Sequence, residues 1–187
     1  MYKFIKRLLD IIFSIVLIIV TLPLMLIVLL ITYINIGRPL IDIRLPREGM
    51  NKKPFYMYKI RTRVYEEFGK SHYTKISKII DLLGLNELPQ LFNILKGEMS
   101  FIGPRAFICD EELPNGDINP KRYLVRPGVF GLAQSRGGRR LPYSETLKCD
   151  SEYYDNFGFI QDFKIFFGSI VATLNDIIKD IIKMIRK

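Results

Sequence analysis

The sequence predicts an α+β, mostly helical protein: a re-entrant N-terminal membrane helix, interfacial amphipathic helices, and a small cytoplasmic globular body. Three features predict it. An almost unbroken aliphatic run fills Ile11 to Ile31; an apolar stripe with basic edges recurs at helical spacing from Asp162 to Lys187; and short apolar segments between them alternate with proline- and glycine-marked turns. With 187 residues, the chain holds one compact core plus an anchor. The expected division is 1–37 for the anchor and 38–187 for the body with its C-terminal amphipathic helix.

The aliphatic run is long enough at a helical rise to cross the hydrocarbon core of a bilayer. A cleaved signal peptide is disfavoured, because the apolar stretch continues to Tyr33 and Ile36 with no small-residue cleavage site. A single span is the simplest reading of the run alone. However, Lys3, Lys6 and Arg7 precede it while Arg38, Arg44, Arg47, Lys52 and Lys53 follow it, and the positive-inside rule asks both ends to stay cytoplasmic. Pro23 removes a helical N–H near the middle, so a break at Pro23 that turns the chain back within one leaflet satisfies both ends. Ser14 and Thr21 carry hydroxyls able to satisfy the backbone groups freed there.

The charge balance narrows the partners. Lys and Arg outnumber Asp and Glu by 28 to 19, a formal net charge of +9. Next to a lipid-facing segment, that charge favours anionic lipid and phosphate over nucleic acid. Cys109 and Cys149 form no CxxC pair and there is one histidine, His72, read as an exposed side chain; neither zinc site nor disulfide framework is expected.

After the anchor, residues Pro39 to Pro54 read as a polar connector. Phe55 to Ile60 (FYMYKI) read as a short strand, Glu66 to Lys75 as a polar loop, and Ile76, Ile79, Ile80 and Leu83 as one face of a helix. In Gly84 to Ala106, Leu88, Leu91, Phe92 and Leu95 form an apolar stripe and Gly97 stands where a helix would stop. Asn86 and Glu87 at its start have two readings. They make an ordinary helix cap, or they meet phosphate oxygens at the positive helix end, with the carboxylate holding a divalent cation. Gly103-Pro104-Arg105, Arg126-Pro127-Gly128 and the run Gln134 to Arg140 combine glycines that permit close backbone approach with guanidinium groups suited to phosphate. A basic loop resting on lipid headgroups would look the same. In the last segment Phe163, Phe166, Phe167, Ile170, Leu174, Ile177, Ile178, Ile181 and Ile182 form the stripe. Lys179, Lys183, Arg186 and Lys187 lie beside it, which suits a helix lying in the membrane interface.

In order, these segments resemble the bacterial sugar transferase family, the small monotopic phosphoglycosyl transferases, over nearly the whole chain. Lys6-Arg7, Asp10, Ser14 and Pro23 are similar to its re-entrant anchor, and Arg47 and Gly49 to its Q-x-R-x-G element without the glutamine. Tyr58-Lys59-Ile60-Arg61-Thr62 resembles YKFRT. Glu87-Leu88-Pro89-Gln90-Leu91, Lys96-Gly97, Met99-Ser100 and Gly103-Pro104-Arg105 follow DELPQL…LKGDMSLVGPRP. Arg126-Pro127-Gly128, Gly131, Ala133-Gln134 and Gly137 resemble RPGITGWAQVNGR, and Asp150, Tyr153, Asp155-Asn156 and Asp162-x-Lys164 the distal pattern.

The resemblance implies a bacterial inner-membrane protein on the cytoplasmic face, one leaflet deep, handling a UDP-sugar and polyprenyl phosphate. In the family an aspartate of an Asp-Glu dyad attacks the β-phosphorus of the UDP-sugar and releases UMP, with Mg²⁺ present, and polyprenyl phosphate then takes the phosphosugar. Carried over by position, Asn86 and Glu87 hold the dyad, with Glu87 the one candidate Mg²⁺ ligand. Lys59, Arg61, Arg105, Arg126 and Gln134 are candidate substrate or phosphate contacts. Asn86 is a neutral amide with a poorly nucleophilic oxygen, and loss of a covalent nucleophile costs on the order of 10⁶ in turnover. Asp81 stands where the pattern has arginine, Gly138 where it has a phosphate-binding arginine, and Ala106 and Phe130 where it has proline and threonine. Several departures around one site favour a natural, catalytically silent homologue that pairs with an active transferase in a homo- or hetero-oligomer. The alternatives are an active transferase, one silenced by engineering at Asn86, and a generic basic membrane-surface protein.

Overall fold

The computed structural model describes residues 1–66, 69–109, 120–137 and 141–185. Helix α1 (Tyr2–Ile36) takes up the whole apolar segment. Its 35 residues reach about 50 Å. Five short strands follow: β1 (Ile41–Asp42), β2 (Pro46–Glu48), β3 (Pro54–Tyr56), β4 (Lys59–Ile60) and β5 (Arg63–Tyr65), and after them β6 (Ser71–Tyr73). They pair antiparallel as β1 with β4, β2 with β3, and β5 with β6. Helices α2 (Lys75–Leu82) and α3 (Gln90–Lys96) lead to β7 (Ser100–Ile102), which pairs in parallel with β8 (Gly128–Phe130). Helices α4 (Leu132–Gly137), α5 (Tyr143–Asp155) and α6 (Phe159–Ile185) complete the chain. The mostly helical α+β class is as the sequence predicts.

One stripe of α1 faces the body. Asp10, Ser14, Met25, Val28 and Thr32 are buried at spacings that keep them on one helix face, whereas Ile19, Val20, Ile27 and Leu30 on the opposite side are exposed. The helix is continuous through Pro23, so the expected break at Pro23 is corrected to a proline inside an unbroken helix. The carbonyl that loses its partner to a proline lies four residues earlier, at Ile19. Neither expected hydroxyl reaches it: Ser14 Oγ donates to the Ile11 carbonyl at 2.9 Å and Thr21 Oγ1 to that of Leu17 at 2.7 Å.

The body clasps α1 at both ends. Near its start, Lys6 Nζ donates to Asp162 Oδ2 at 2.6 Å, beside the Tyr2 hydroxyl on the same oxygen. Asp10 accepts from Ser100 Oγ and the Phe101 N–H, both at 3.1 Å. Near its end, Arg61 Nη2 donates to the carbonyls of Ile36 and Gly37 at 3.0 and 2.8 Å, and Thr74 bonds Asn35. Between the two clasps, Met25 and Val28 pack with Ile60 and Ile80.

Three local expectations need correction. FYMYKI is two strands rather than one: the chain parts at Met57 and Tyr58, where the wholly buried Asn93 accepts from the Tyr58 N–H and donates to the Tyr56 carbonyl. The expected polar loop from Glu66 to Lys75 contains β6, zipped to β5; Glu67 and Phe68 lie outside the described residues. Helix α2 starts in a capping box between Thr74 and Ser77. Finally, α3 begins at Gln90 behind a separate 3-10 turn, Leu85–Glu87, so Asn86 caps no α-helix; Gly97 does end α3, at φ +88°.

Helix α6 turns Asp162, Ile165 and Ser169 inward and leaves Phe163, Phe167, Val171, Leu174 and Ile178 exposed. It packs on α4, where Gly168 meets the Ser135 side chain. Lys183, Arg186 and Lys187 lie outside the residues whose side chains are described.

Candidate functional site

Helix α2 stops at Gly84, whose φ of +70° folds the following 3-10 turn back onto the helix it has just left. That reversal buries Asn86, 5% exposed, against Asp81 in the last turn of α2. Asn86 Nδ2 donates to Asp81 Oδ1 at 2.9 Å. Asp81 also accepts from Thr62 Oγ1 at 3.4 Å and, through Oδ2, from the Tyr73 hydroxyl at 3.1 Å. Burial first, and the Asp81 charge second, push the Tyr73 phenol above its ordinary pKa, which keeps it a donor. Asn86 Oδ1 is buried with no hydrogen-bond partner among the described residues.

Glu87, next in the chain, has a different environment. Its Oε1 accepts from Lys59 Nζ at 2.8 Å, and both side chains are about a third exposed, 38% and 32%. It lies on a cleft of about 360 Å³ whose walls come from α1 (Leu17, Thr21), α3 (Gln90), β8 (Phe130), α4 (Gln134) and α6 (Asp176). One wall is therefore the apolar helix itself. Gln134 holds its place by accepting from the Gly131 N–H at 2.7 Å.

Lys59 meets Glu87, the neighbour of Asn86, and Gln134 lies on the same cleft as Glu87. The three arginines do not join them. Arg61 is spent on the end of α1. Arg126 Nε donates to the Gly97 carbonyl at 2.8 Å, and Arg7 donates to those of Ile94 and Leu95, so two guanidinium groups cap the C-terminus of α3. Arg105 is exposed, away from the cleft lining, and its carbonyl receives Arg122. The glycines of the two Gly/Arg motifs approach each other rather than an open phosphate site: a Cβ on Gly128 would stand 2.1 Å from Gly103 N. Gly138, with Arg139 and Arg140, lies outside the described residues.

The donor set does not suit Mg²⁺. Glu87 already binds an ammonium group, its neighbour is an amide, and no group of three His, Cys, Asp or Glu side chains gathers among the described residues.

Sequence reasoning matched Asp150 and Asp162 to a motif without giving them a role, and passed over Arg122 and Asp176. Asp162 ties three elements together, because its other oxygen accepts from Tyr153 at 2.8 Å. Arg122 and Asp150, 4% and 2% exposed, face each other at 3.5 Å, with the Arg122 guanidinium 3.4 Å from the centre of the Phe107 ring. Burial pushes the Asp150 carboxyl up to about 7 in spite of Arg122 and Arg105. Asp176 enters the cleft from the flank of the α6 stripe, and nothing in its spacing announces that.

Comparison with known proteins adds a family. A family model described as bacterial sugar transferase matches residues 1–176. An uncharacterized sugar transferase, EpsL, of Bacillus subtilis is 34% identical over 86% of this chain and 82% of its own length. A UDP-N-acetylgalactosamine-undecaprenyl-phosphate N-acetylgalactosaminephosphotransferase of Aeromonas hydrophila and an undecaprenyl-phosphate galactose phosphotransferase of Salmonella typhimurium are each 32% identical over 92% of the chain. The chain spans less than half the length of these last two, 44% and 41%.

Proposed function

Because the chain belongs to the bacterial sugar transferase family, we propose that it serves glycoconjugate assembly at the cytoplasmic face of the bacterial inner membrane as a catalytically silent member that pairs with or supports an active transferase. One observation carries the reading: where the family pattern asks for a nucleophilic carboxylate there is a buried amide, bound to Asp81 rather than offered to the cleft. The amphipathic cleft and the retained scaffold support binding of a nucleotide sugar or polyprenyl phosphate without turnover. Mg²⁺ would belong to an active form only; here it would have to displace Lys59 from Glu87.

The same reading places α1 in one leaflet. Asp162 holds one end of the helix and Arg61 the other, so a helix that crossed the bilayer would draw the charged body between its ends into hydrocarbon. Basic residues at both ends support the same placement.

The test is UMP release from a UDP-sugar with polyprenyl phosphate, using the full chain alone and with a homologue carrying an intact Asp-Glu pair. Silence alone and activity or enhancement with the homologue are expected; polyprenyl phosphate-dependent release by the chain alone overturns the reading. A second reading has Glu87 as the nucleophile, favoured by its place on the cleft. It requires activity in the wild type that Glu87→Ala abolishes.

A further inference from the structure

The Asp81–Asn86 contact constrains what position 86 can be. The amide is 95% withdrawn from solvent, and its Nδ2 is the donor that Asp81 Oδ1 receives at 2.9 Å. Thr62 and Tyr73 supply Asp81 with two hydroxyl donors and no positive charge. Arg63 lies over the Tyr73 ring, 4.6 Å from its centre, and donates to the Tyr73 oxygen rather than to Asp81. Glu87, the next residue, is turned to Lys59. Among the described residues the hydrogen-bond donors to Asp81 are therefore neutral, and an anion at position 86 would meet a second anion at hydrogen-bond distance.

We infer that Asp81 is a specificity-determining residue for this site: by facing position 86 with a carboxylate it admits an amide donor there and excludes a nucleophilic carboxylate. The silence of the site then belongs to a residue pair, and reversal of Asn86 alone does not lift it. Two carboxylates at this spacing share one proton, and their titrations separate by about 3 pH units. A carboxyl introduced at position 86 accordingly either shares a proton with Asp81 or, once both are ionised, is driven out of the contact by like-charge repulsion. In neither state is it an anion held in the place the amide occupies. Asn86 Oδ1 agrees with this: among the described residues there is a partner for the amide N–H₂ and none for an oxygen at this place. The link to catalysis rests on the transferase-scaffold reading above; the link between positions 81 and 86 does not.

The experiment compares full-length wild type, Asn86→Asp, and the swap Asp81→Asn with Asn86→Asp, which keeps one carboxylate, one amide and the hydrogen bond between them. Thermal unfolding midpoints are measured from pH 5 to 9. Asn86→Asp is expected to lose stability across the neutral range as the shared proton leaves, while the swap tracks the wild type. Recovery of folded Asn86→Asp only at the acid end supports the inference equally. Identical pH profiles for Asn86→Asp and the swap overturn it. In a second arm, each protein at pH 7 meets UDP-sugar and is weighed intact. There the carboxylate would form an O–P bond to the β-phosphorus as the bond to the α-phosphate oxygen breaks and UMP leaves with that electron pair. An adduct on the swap and none on Asn86→Asp is expected; equal adduct on both overturns the inference. If neither forms an adduct, the transferase-scaffold reading falls and the unfolding profiles alone decide the pair.

Discussion

Removing the Asp162 carboxylate should loosen α1 from the body more than any surface charge does. Asp162 is 7% exposed in the first turn of α6. It takes Lys6 Nζ at 2.6 Å and Tyr2 on one oxygen, and Tyr153 at 2.8 Å on the other. In Asp162→Ala, Tyr153 can fall back on the Ile102 carbonyl, 3.3 Å from its hydroxyl. Lys6 makes no other ion pair among the described residues, and with its side chain 13% exposed it would lose its partner in a largely buried place. Breaking a buried pair from one side costs about 3–5 kcal/mol, and the residual exposure here favours the low end, about 3 kcal/mol. For a chain of this size that lowers the unfolding midpoint by roughly 6–12 °C. Thermal unfolding in detergent micelles, followed by tyrosine fluorescence, reads it out, since the chain has ten tyrosines and no tryptophan. Asp155→Ala is the control: its pair with Lys121 is about half exposed on both sides and should be worth less than about 1 kcal/mol. Asp162→Ala within 1 kcal/mol of wild type, or equal shifts for the two variants, would refute the view that Asp162 anchors the helix.

Two further outcomes follow from the buried charges and the clasped helix. Asp150 titrates near 7 in the folded protein against an ordinary value of 3.8. Between those values the folded chain keeps a proton that the unfolded chain has released, so this group's contribution to stability falls as pH rises through the window and is flat above it. Unfolding midpoints at pH 5 and pH 8 should therefore drop more in wild type than in Asp150→Asn, and equal drops would contradict the assignment. For the one-leaflet placement, Lys3→Cys and Arg38→Cys in a Cys109→Ser background should both react with a membrane-impermeant maleimide in inverted inner-membrane vesicles; protection of either one implies a span.

Local pattern was enough for much of the architecture. The aliphatic run, the helix spacing of Ile76 to Leu83, the stop at Gly97 and the long stripe of α6 all follow from side chains three or four apart, and the structure contains each of them. The junctions were harder to read. FYMYKI parts in the middle because Asn93, 35 residues from Tyr58, takes its backbone N–H, and no periodicity within six residues reports a partner that distant. Asn86 looked like a cap because Ser, Thr, Asp and Asn favour helix starts; a left-handed glycine two residues earlier sent it into the body instead.

The sequence by itself determined that the protein carries an apolar helix, an amphipathic C-terminal helix and the ordered motifs of a sugar transferase. It also put an amide, Asn86, directly before Glu87. Only the tertiary structure decided where the charges go. Arg61 and Arg126 looked like phosphate ligands and are bound to backbone carbonyls 24 to 29 residues away, while Asp81 sits against Asn86. The reason is physical: a guanidinium or carboxylate binds whatever the fold brings within about 3 Å. Chain spacing sets helix faces and turns, but long-range packing selects the partner.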